Sequence, residues 1–262
     1  MKHNPLLENV NMQLSADVQW QLLQHSGTTN QLYSGCYQDQ SVILRLNTEQ
    51  QVLGVCRQRE EKVLHLIDAK AWAPDVVQQQ MPDQHQPGWL LMKRYAALGD
   101  APIGDLHDQI LNCIFECQQI KDLPLCDYSA LWNAYQQKID ELGKASQAQM
   151  LLDSIRALMF ELKDTAGVDA CLVHHDLHKG NLLSSAGQLV VIDWEYAGLG
   201  SPWLDAAALV TEFSTPLQAV EALPAFRHID VKTFDHAIKI AQRINQQLNR
   251  LWYALGTDIT VP

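Results

Sequence analysis

The chain has 262 residues, of which 47% are apolar and 19% charged, so it can bury a sizeable core and is not a disordered chain. Lys and Arg number 19 against 30 Asp and Glu, and the net charge of −11 argues against a binder of nucleic acid or anionic membranes. Without an apolar run of ~18 residues, a signal peptide or a Cys-x-x-Cys pair, the sequence predicts a cytoplasmic protein with reduced thiols.

The N-terminal third alternates strand and helix patterns. Residues 15–24 are predicted to form a short helix capped by Ser15, and a polar turn follows at 27–30. A second helix is predicted at about 50–67, where apolar residues recur at helical spacing and Glu60 falls on their face. The strand patterns, which predict antiparallel pairing, lie at 31–37, 41–46, 76–80 and 89–94.

The remainder of the chain is mainly helical. Apolar stripes at helical spacing predict helices at about 106–120, 128–142, 151–162 and 231–255. One island, residues 172–193, interrupts them with a hairpin pattern. We therefore expect an α+β protein with a small antiparallel-sheet lobe at 1–92, a hinge at 93–98 and a larger helical lobe at 99–262.

The island contains the candidate catalytic and metal-binding residues. Its sequence from His174 to Asn181 is His-His-Asp-Leu-His-Lys-Gly-Asn, and Asp193 follows twelve residues later, directly after an apolar strand. A hairpin brings the two ends together, so Asp176, Asn181 and Asp193 supply two carboxylates and a carboxamide at one place. Such oxygen ligands suit Mg²⁺. An Asx-rich solvated turn is the alternative for the three residues, and a His-Asp-His zinc site is an alternative for the loop.

These residues carry a family resemblance. The pattern His174-x-Asp176-x-x-x-x-Asn181, followed by Asp193, resembles the catalytic and metal-binding loops of the bilobal protein-kinase-like fold. Its form here is similar to the aminoglycoside phosphotransferase and choline kinase family. The run 192–196, Ile-Asp-Trp-Glu-Tyr, is most similar to choline/ethanolamine kinases and bacterial thiamine kinases. Close motif identity spans residues 172–212, and the layout of lobes resembles the family over nearly the whole chain.

The resemblance implies a role for each matching residue of the catalytic loop. Asp176 accepts or orients the proton of the substrate hydroxyl, and Asn181 and Asp193 hold Mg²⁺ against the phosphates of ATP. His174 braces the loop as structural support. Asp205 is expected to be structural as well, bonded to the catalytic loop, and a metal ligand is the alternative for this residue.

For the nucleotide, the resemblance implies a basic residue on the third strand. Arg45 occupies this place and pairs with Glu60, or with Glu61 if the helix register differs by one residue. An edge-strand arginine and a solvated glutamate are the alternative. The other implied ATP-binding residues are Gly27, Thr28 and Asn30 near the phosphates, and Met92, Lys93 and Arg94 in the hinge near adenine. The turn at 27–30 departs from the Gly-x-Gly-x-x-Gly loop of protein kinases.

The acceptor site is predicted from aromatic and acidic residues. The candidates are Glu195, Tyr196, Glu212 and Trp252, with Trp194, Trp203 and Tyr253 as further aromatics. For Glu195 the alternative is a role behind the residues that contact ligand, which it would support. Such a cage favours a quaternary ammonium or thiazolium cation, and core packing is the alternative for the aromatic rings.

Three functions follow for the chain as a whole. The preferred one is an ATP- and Mg²⁺-dependent kinase of a small cationic alcohol of the thiamine, choline or ethanolamine type. The alternatives are an aminoglycoside O-phosphotransferase and a catalytically silent kinase-like module that binds nucleotide. In each case we expect a monomer or homodimer with a small-molecule ligand and no membrane or nucleic-acid partner.

Overall fold

The computed structural model describes residues 4–23, 30–47, 52–84, 86–99, 103–143 and 145–256. The chain divides into two compact units, which we call the N-terminal unit (Met1–Gly99 with Leu183–Ile192) and the C-terminal unit (Asp100–Leu182 with Asp193–Pro262). The hairpin of the island thus groups with the N-terminal unit, although the sequence assigned it to the helical lobe. The lobe and hinge limits at 92 and 98 stay a prediction.

The N-terminal unit is built on antiparallel strands. Its elements are α1 (Pro5–Leu14), β1 (Gln21–Leu22), β2 (Asn30–Tyr37), β3 (Gln40–Asn47), α2 (Arg57–Ile67), β4 (Val76–Gln80), β5 (Trp89–Lys93), β6 (Ala96–Ala97), β8 (Leu182–Ser185) and β9 (Gln188–Val191). A five-stranded antiparallel sheet has the order β1-β2-β3-β5-β4, and a smaller sheet has the order β6-β8-β9. All four predicted strands are present, within a residue or two of their expected limits.

The predicted helix at 15–24 is wrong. The helix instead covers Pro5–Leu14, where Asn4 accepts the Leu6 amide and proline occupies the first helical position. Ser15 ends this helix in the left-handed conformation (φ 50°), so it closes one helix and does not begin another. Burial then alternates from residue 17 to residue 20, which is the period of an extended chain.

The second helix is shorter than predicted. It begins at Arg57, not near residue 50, because Gly54 adopts φ +83° in a turn that precedes it. Its buried face consists of Glu60, Val63, Leu64 and Ile67. The predicted buried face of this helix is therefore confirmed, whereas its predicted start lies too early in the chain.

The core of the N-terminal unit lies between α1 and the large sheet. Its buried members are Val10, Leu14, Val18, Trp20, Tyr33, Val42, Leu44, Leu46, Trp89 and Leu91. The backbone of β2 approaches this cluster closely at Gly35, where a Cβ atom would lie 2.7 Å from Val18 and 2.8 Å from Trp20. Only glycine leaves room for both side chains at that point.

The C-terminal unit is mainly helical. Its elements are α3 (Ile103–Cys117), α4 (Tyr128–Leu142), α5 (Ala145–Ala166), β7 (Cys171–Val173), β10 (Gly198–Gly200), α6 (Pro202–Phe213), α7 (Leu217–Glu221) and α8 (Val231–Gly256). β7 and β10 form an antiparallel pair in which Leu172 faces Leu199. None of the helices in the described ranges combines the length and apolarity needed to cross a bilayer. Sheet and helices together confirm the predicted α+β class.

Candidate active site

The loop that follows β7 is held at its base by a buried carboxylate. Asp205, on the first turn of α6, accepts the His174 amide at 2.7 Å and the His175 amide at 3.1 Å. Burial raises the pKa of Asp205 to about 6; the two amides oppose this shift and the charge of Asp176 adds to it. The side chain of His174 is buried as well, and its Nδ1 accepts the Asp176 amide at 3.3 Å. Both residues thus contact the loop as the predicted supporting roles require.

Asp176 and Asn181 face each other across this loop. The Nδ2 group of Asn181 donates to the Asp176 carbonyl at 2.9 Å and to its Oδ2 at 3.1 Å. Both amide hydrogens of Asn181 therefore have acceptors within the loop, and its Oδ1 is left as the atom able to ligate a cation. In the described part of the chain, the contacts found for the Asp176 carboxylate end on Oδ2.

His178 is a third member of the loop cluster. Its Nδ1 accepts the Gly180 amide at 3.0 Å, which leaves the proton of the neutral ring on Nε2. Nε2 lies 3.6 Å from Oδ2 of Asp176. The Asp176 carboxylate raises the pKa of His178 above its ordinary 6.5, and the charges of Glu212 and Asp193 add to this effect. These carboxylates therefore lie within electrostatic reach of one imidazole.

The other end of the island presents Asp193. It follows β9 in the left-handed conformation (φ 65°), a strained geometry that clusters at functional sites in proteins. The next residue, Trp194, is buried with its ring 4.6 Å from that of His174, measured between centroids. This contact ties the segment carrying Asp193 to the loop carrying Asp176.

The donor set fits Mg²⁺. The carboxylate of Asp193 and the amide oxygen of Asn181 are hard oxygen donors, the type that Mg²⁺ takes alongside water and substrate phosphates. The zinc alternative lacks such a fit, because His175 turns to Tyr128 at 2.7 Å while His178 faces Asp176. No group of three or more His, Cys, Asp or Glu able to hold a metal occurs among the described residues.

The N-terminal unit contains a buried charge cluster around Glu60. Its Oε2 accepts from Arg45 at 2.7 Å and from Arg57 at 2.8 Å. Burial alone would raise the pKa of Glu60, but the two guanidinium groups outweigh it and hold the pKa below 4.5. Arg57 also donates to the side-chain oxygen of Asn30 at 3.0 Å. The structure therefore pairs Arg45 with Glu60 and not with Glu61, whereas Gly27 and Thr28 lie outside the described residues.

The predicted hinge residues lie at the end of β5, a strand that pairs with β3 on one side and β4 on the other. Met92 and Lys93 end β5, and the Lys93 amide donates to the Asp75 carbonyl at 3.0 Å. The Arg94 amide donates to the Ser41 carbonyl at 2.9 Å. Both amides therefore already have backbone acceptors and are not available to donate to a ligand, so the prediction that these residues contact adenine stays a prediction.

The candidate acceptor residues differ in burial and in their surroundings, from the buried Glu195 to the exposed Glu212. Burial raises the pKa of Tyr196, and the charges of Glu195 and Asp176 add to the shift. Trp252 is half-buried, and the ring contact found for it in the described chain is with its neighbour Tyr253, 5.2 Å away.

Two of the further aromatics are core residues. Trp194 and Trp203 are each 1% exposed, so neither ring is accessible to a ligand. Trp203 contacts the rings of Phe226 and Phe234 and donates its Nε1–H to the Ala166 carbonyl. Simple core packing, the alternative for these rings, is what the structure shows.

Two residues of these clusters were not identified from the sequence. Arg57 precedes Glu60 by three residues on α2, and this spacing of opposite charges was an available signal. Tyr128 was assigned only to the apolar stripe of its helix. Its hydroxyl contacts His175, 47 residues away, and nothing in the local sequence announces such a contact.

Comparison with known proteins identifies similar chains. The sequence pattern of the phosphotransferase enzyme family, APH, matches residues 24–237. A thiamine kinase from Shigella boydii is 52% identical over 40 residues, which is 15% of this chain and 15% of that protein. The match thus spans well under a fifth of the length of that relative.

Solved structures share the fold over most of the chain. The choline kinase LicA from Streptococcus pneumoniae superposes with a TM-score of 0.71 at 19% identity, covering 99% of this chain and 93% of that one. The aminoglycoside phosphotransferase APH(4)-Ia, solved with AMP-PNP and hygromycin B, superposes with a TM-score of 0.61 at 14% identity, covering 97% and 99%. At these identities the similarity concerns the fold, and it confirms the kinase-like architecture.

Proposed function

Because the chain belongs to the phosphotransferase enzyme family, we propose that it is an ATP-dependent kinase that phosphorylates a hydroxyl group of a small cationic alcohol. Thiamine, choline and ethanolamine represent the type of acceptor. Asp176 is the proposed catalytic residue, Asn181 and Asp193 are the proposed metal ligands, and Arg45 with Glu60 is the proposed nucleotide pair.

The observation that carries this proposal is the one-sided bonding of Asp176. Asn181 and His178 both approach Oδ2, at 3.1 Å and 3.6 Å, so among the contacts of the described residues Oδ1 is the oxygen available to accept from a substrate hydroxyl. A carboxylate fixed in this way can orient the hydroxyl and receive its proton as the phosphate bond forms. Such positioning contributes most of the rate where the transition state is loose.

The other residues supply charge. Arg45 presents a guanidinium held by Glu60, and a fixed guanidinium binds phosphate oxygens with defined geometry. Bound at Asn181 and Asp193, Mg²⁺ would neutralise charge on the transferred phosphoryl group. Asp205 keeps the loop amides of His174 and His175 in place while the carboxylate of Asp176 receives the proton of the substrate hydroxyl.

The cationic acceptor is proposed from the charge around the loop. Glu195 and Glu212 add negative charge within reach of Tyr196 and His178, respectively. An acidic and aromatic environment favours a cation over a neutral or anionic alcohol. The thiamine kinase similarity, short as it is, supports the same class.

A second function is an aminoglycoside O-phosphotransferase. The similarity of fold to APH(4)-Ia favours it, and aminoglycosides are polycations that suit the same acidic surroundings. The cytoplasmic location and the choice between monomer and homodimer stay predictions under either function.

The test is acceptor-dependent ADP release with Mg²⁺-ATP. The panel is thiamine, choline, ethanolamine, kanamycin and hygromycin B, with Asp176→Asn as the control for each compound. We expect turnover with one of the first three compounds and at least a hundredfold less in the variant, since general base catalysis contributes about 10²–10⁴-fold. Turnover with an aminoglycoside alone would instead favour the second function.

Absence of turnover has two meanings that nucleotide binding separates. A thermal shift with Mg²⁺-ATP but no ADP release with any compound would favour the silent nucleotide-binding module. No thermal shift and no ADP release would refute the kinase proposal.

A further inference from the structure

The residue before Asp176 has a strained backbone. His175 adopts φ +66°, a region that glycine enters freely and other residues enter only when their surroundings hold them there. Its peptide bond leads directly into Asp176. Relaxation of His175 towards ordinary backbone angles would therefore rotate and displace the Asp176 carboxylate.

Two contacts hold His175 in this conformation. Its amide donates to Oδ1 of the buried Asp205 at 3.1 Å. Its Nε2 lies 2.7 Å from the hydroxyl of Tyr128, the first residue of α4, and that hydroxyl also accepts the Ser201 amide at 3.0 Å. The Tyr128 hydroxyl thus joins the start of a helix, the end of β10 and the catalytic loop.

The backbone of β10 encloses this contact. A Cβ atom at Gly200 would lie 2.5 Å from the Tyr128 hydroxyl and 2.6 Å from Nε2 of His175. The two rings meet edge to face, with centroids 5.8 Å apart. Tyr128 and His175 therefore have little freedom to separate while the fold is intact.

We propose that Tyr128 and His175 form a positioning pair that fixes Asp176 for phosphoryl transfer, an inference that rests on the proposed function. Neither residue acts on the substrate. The hydroxyl of Tyr128 holds the ring of His175, and the ring holds the left-handed backbone that aims Asp176. The pair therefore governs the rate of the chemical step and not the affinity for nucleotide.

Tyr128→Phe removes the hydroxyl and keeps the ring, which stacks on Trp132 at 6.0 Å. We expect kcat to fall about tenfold or more, because small misplacements of catalytic groups are costly. The KM for ATP should stay within about twofold, since that binding depends on other residues. Tyr33→Phe is the matched control, because it removes a buried tyrosine hydroxyl that contacts Asn4 and Gln31 in the N-terminal unit.

The backbone of residue 175 provides a sharper test. His175→Ala keeps the strained backbone and loses the ring contact, so we expect it to lower kcat as Tyr128→Phe does. His175→Gly removes the strain and should retain more activity than His175→Ala. Most important, Tyr128→Phe should change kcat less than about twofold in the His175→Gly background, because no strained residue is left for the hydroxyl to hold.

Hydrogen exchange separates this inference from the proposed function. The amides of His174 and His175 are bonded to Asp205, and Tyr128→Phe should speed their exchange in the wild-type background but not in the His175→Gly background. This measurement judges the pair even if the wild-type protein turns over no compound of the panel. An unchanged kcat and exchange rate in Tyr128→Phe, or equal losses in both backgrounds, would overturn the inference.

Discussion

Replacement of Glu60 with Gln is expected to destabilise the N-terminal unit strongly. The carboxylate is 5% exposed and holds both Arg45 and Arg57, which are 5% and 12% exposed. Loss of one partner from a buried ion pair costs about 3–5 kcal/mol, because the remaining charge stays buried without compensation. The Gln side chain keeps one neutral acceptor, which recovers about 1 kcal/mol. The expected loss in free energy of unfolding is therefore about 2–4 kcal/mol.

The measurement is urea denaturation, followed by a thermal melt. At about 2–4 °C for each kcal/mol, the melting temperature should fall by about 4–16 °C. Glu61→Gln is the matched control, because Glu61 is half-buried and neighbours Glu60 without an ion pair among the described contacts. The Glu61→Gln substitution should change the free energy of unfolding by no more than about 0.5 kcal/mol.

The pH dependence of the same variant has a defined sign. The pKa of Glu60 lies below 4.5 in the folded protein, so the stability that its charge contributes is present above pH 4.5 and is lost as the pH falls through the folded pKa. The stability difference between wild type and Glu60→Gln should therefore shrink in acid. Equal stability of the two proteins at pH 7, or a larger loss in Glu61→Gln, would refute the pairing.

Three further outcomes are expected. Asp176→Asn should lower kcat by about 10²–10⁴-fold while the thermal shift with Mg²⁺-ATP persists, because the residue acts on the acceptor hydroxyl. The pKa of Asp205 rises from 3.8 to about 6 through burial, so the folded state binds the proton more tightly than the unfolded state. The free energy of unfolding should therefore increase by up to about 3 kcal/mol as the pH falls through this window. Urea titrations should show a different dependence of this free energy on pH for wild type and for Asp205→Asn. Gly35→Ala should destabilise the N-terminal unit by about 1–3 kcal/mol in urea, because its methyl group would meet Val18 and Trp20.

The parts of the fold predicted correctly have strong local signals. Strands at 76–80 and 89–94 have the expected composition between turn residues, and the long helix at 231–255 has a clear apolar stripe. The family resemblance, carried by residues 172–212, is confirmed by the match at 24–237. These features depend on neighbours in sequence, which is why sequence reasoning could reach them.

The N-terminal helix shows how a local signal can mislead. Ser15 is a good N-cap residue, but a short polar residue also serves to end a helix in the left-handed conformation. Asn4 and Pro5 form the stronger start signal, and Val18 and Trp20 alternate with exposed residues as in a strand. A helix from residue 15 would have placed these two side chains on different faces, away from the sheet that buries them.

Long-range contacts decide what the buried carboxylates do. Glu60 and Asp205 both lie on buried helix faces, and sequence spacing alone treats them alike. Glu60 meets two guanidinium groups, so its pKa falls and it stays charged. Burial raises the pKa of Asp205 and the repulsion of Asp176 adds to this, while the two backbone amides offset the shift only in part. The first environment fits a partner of a cation that binds phosphate, and the second fits a support for the backbone of a loop, because charged partners offset more of the cost of burying a carboxylate than backbone amides do.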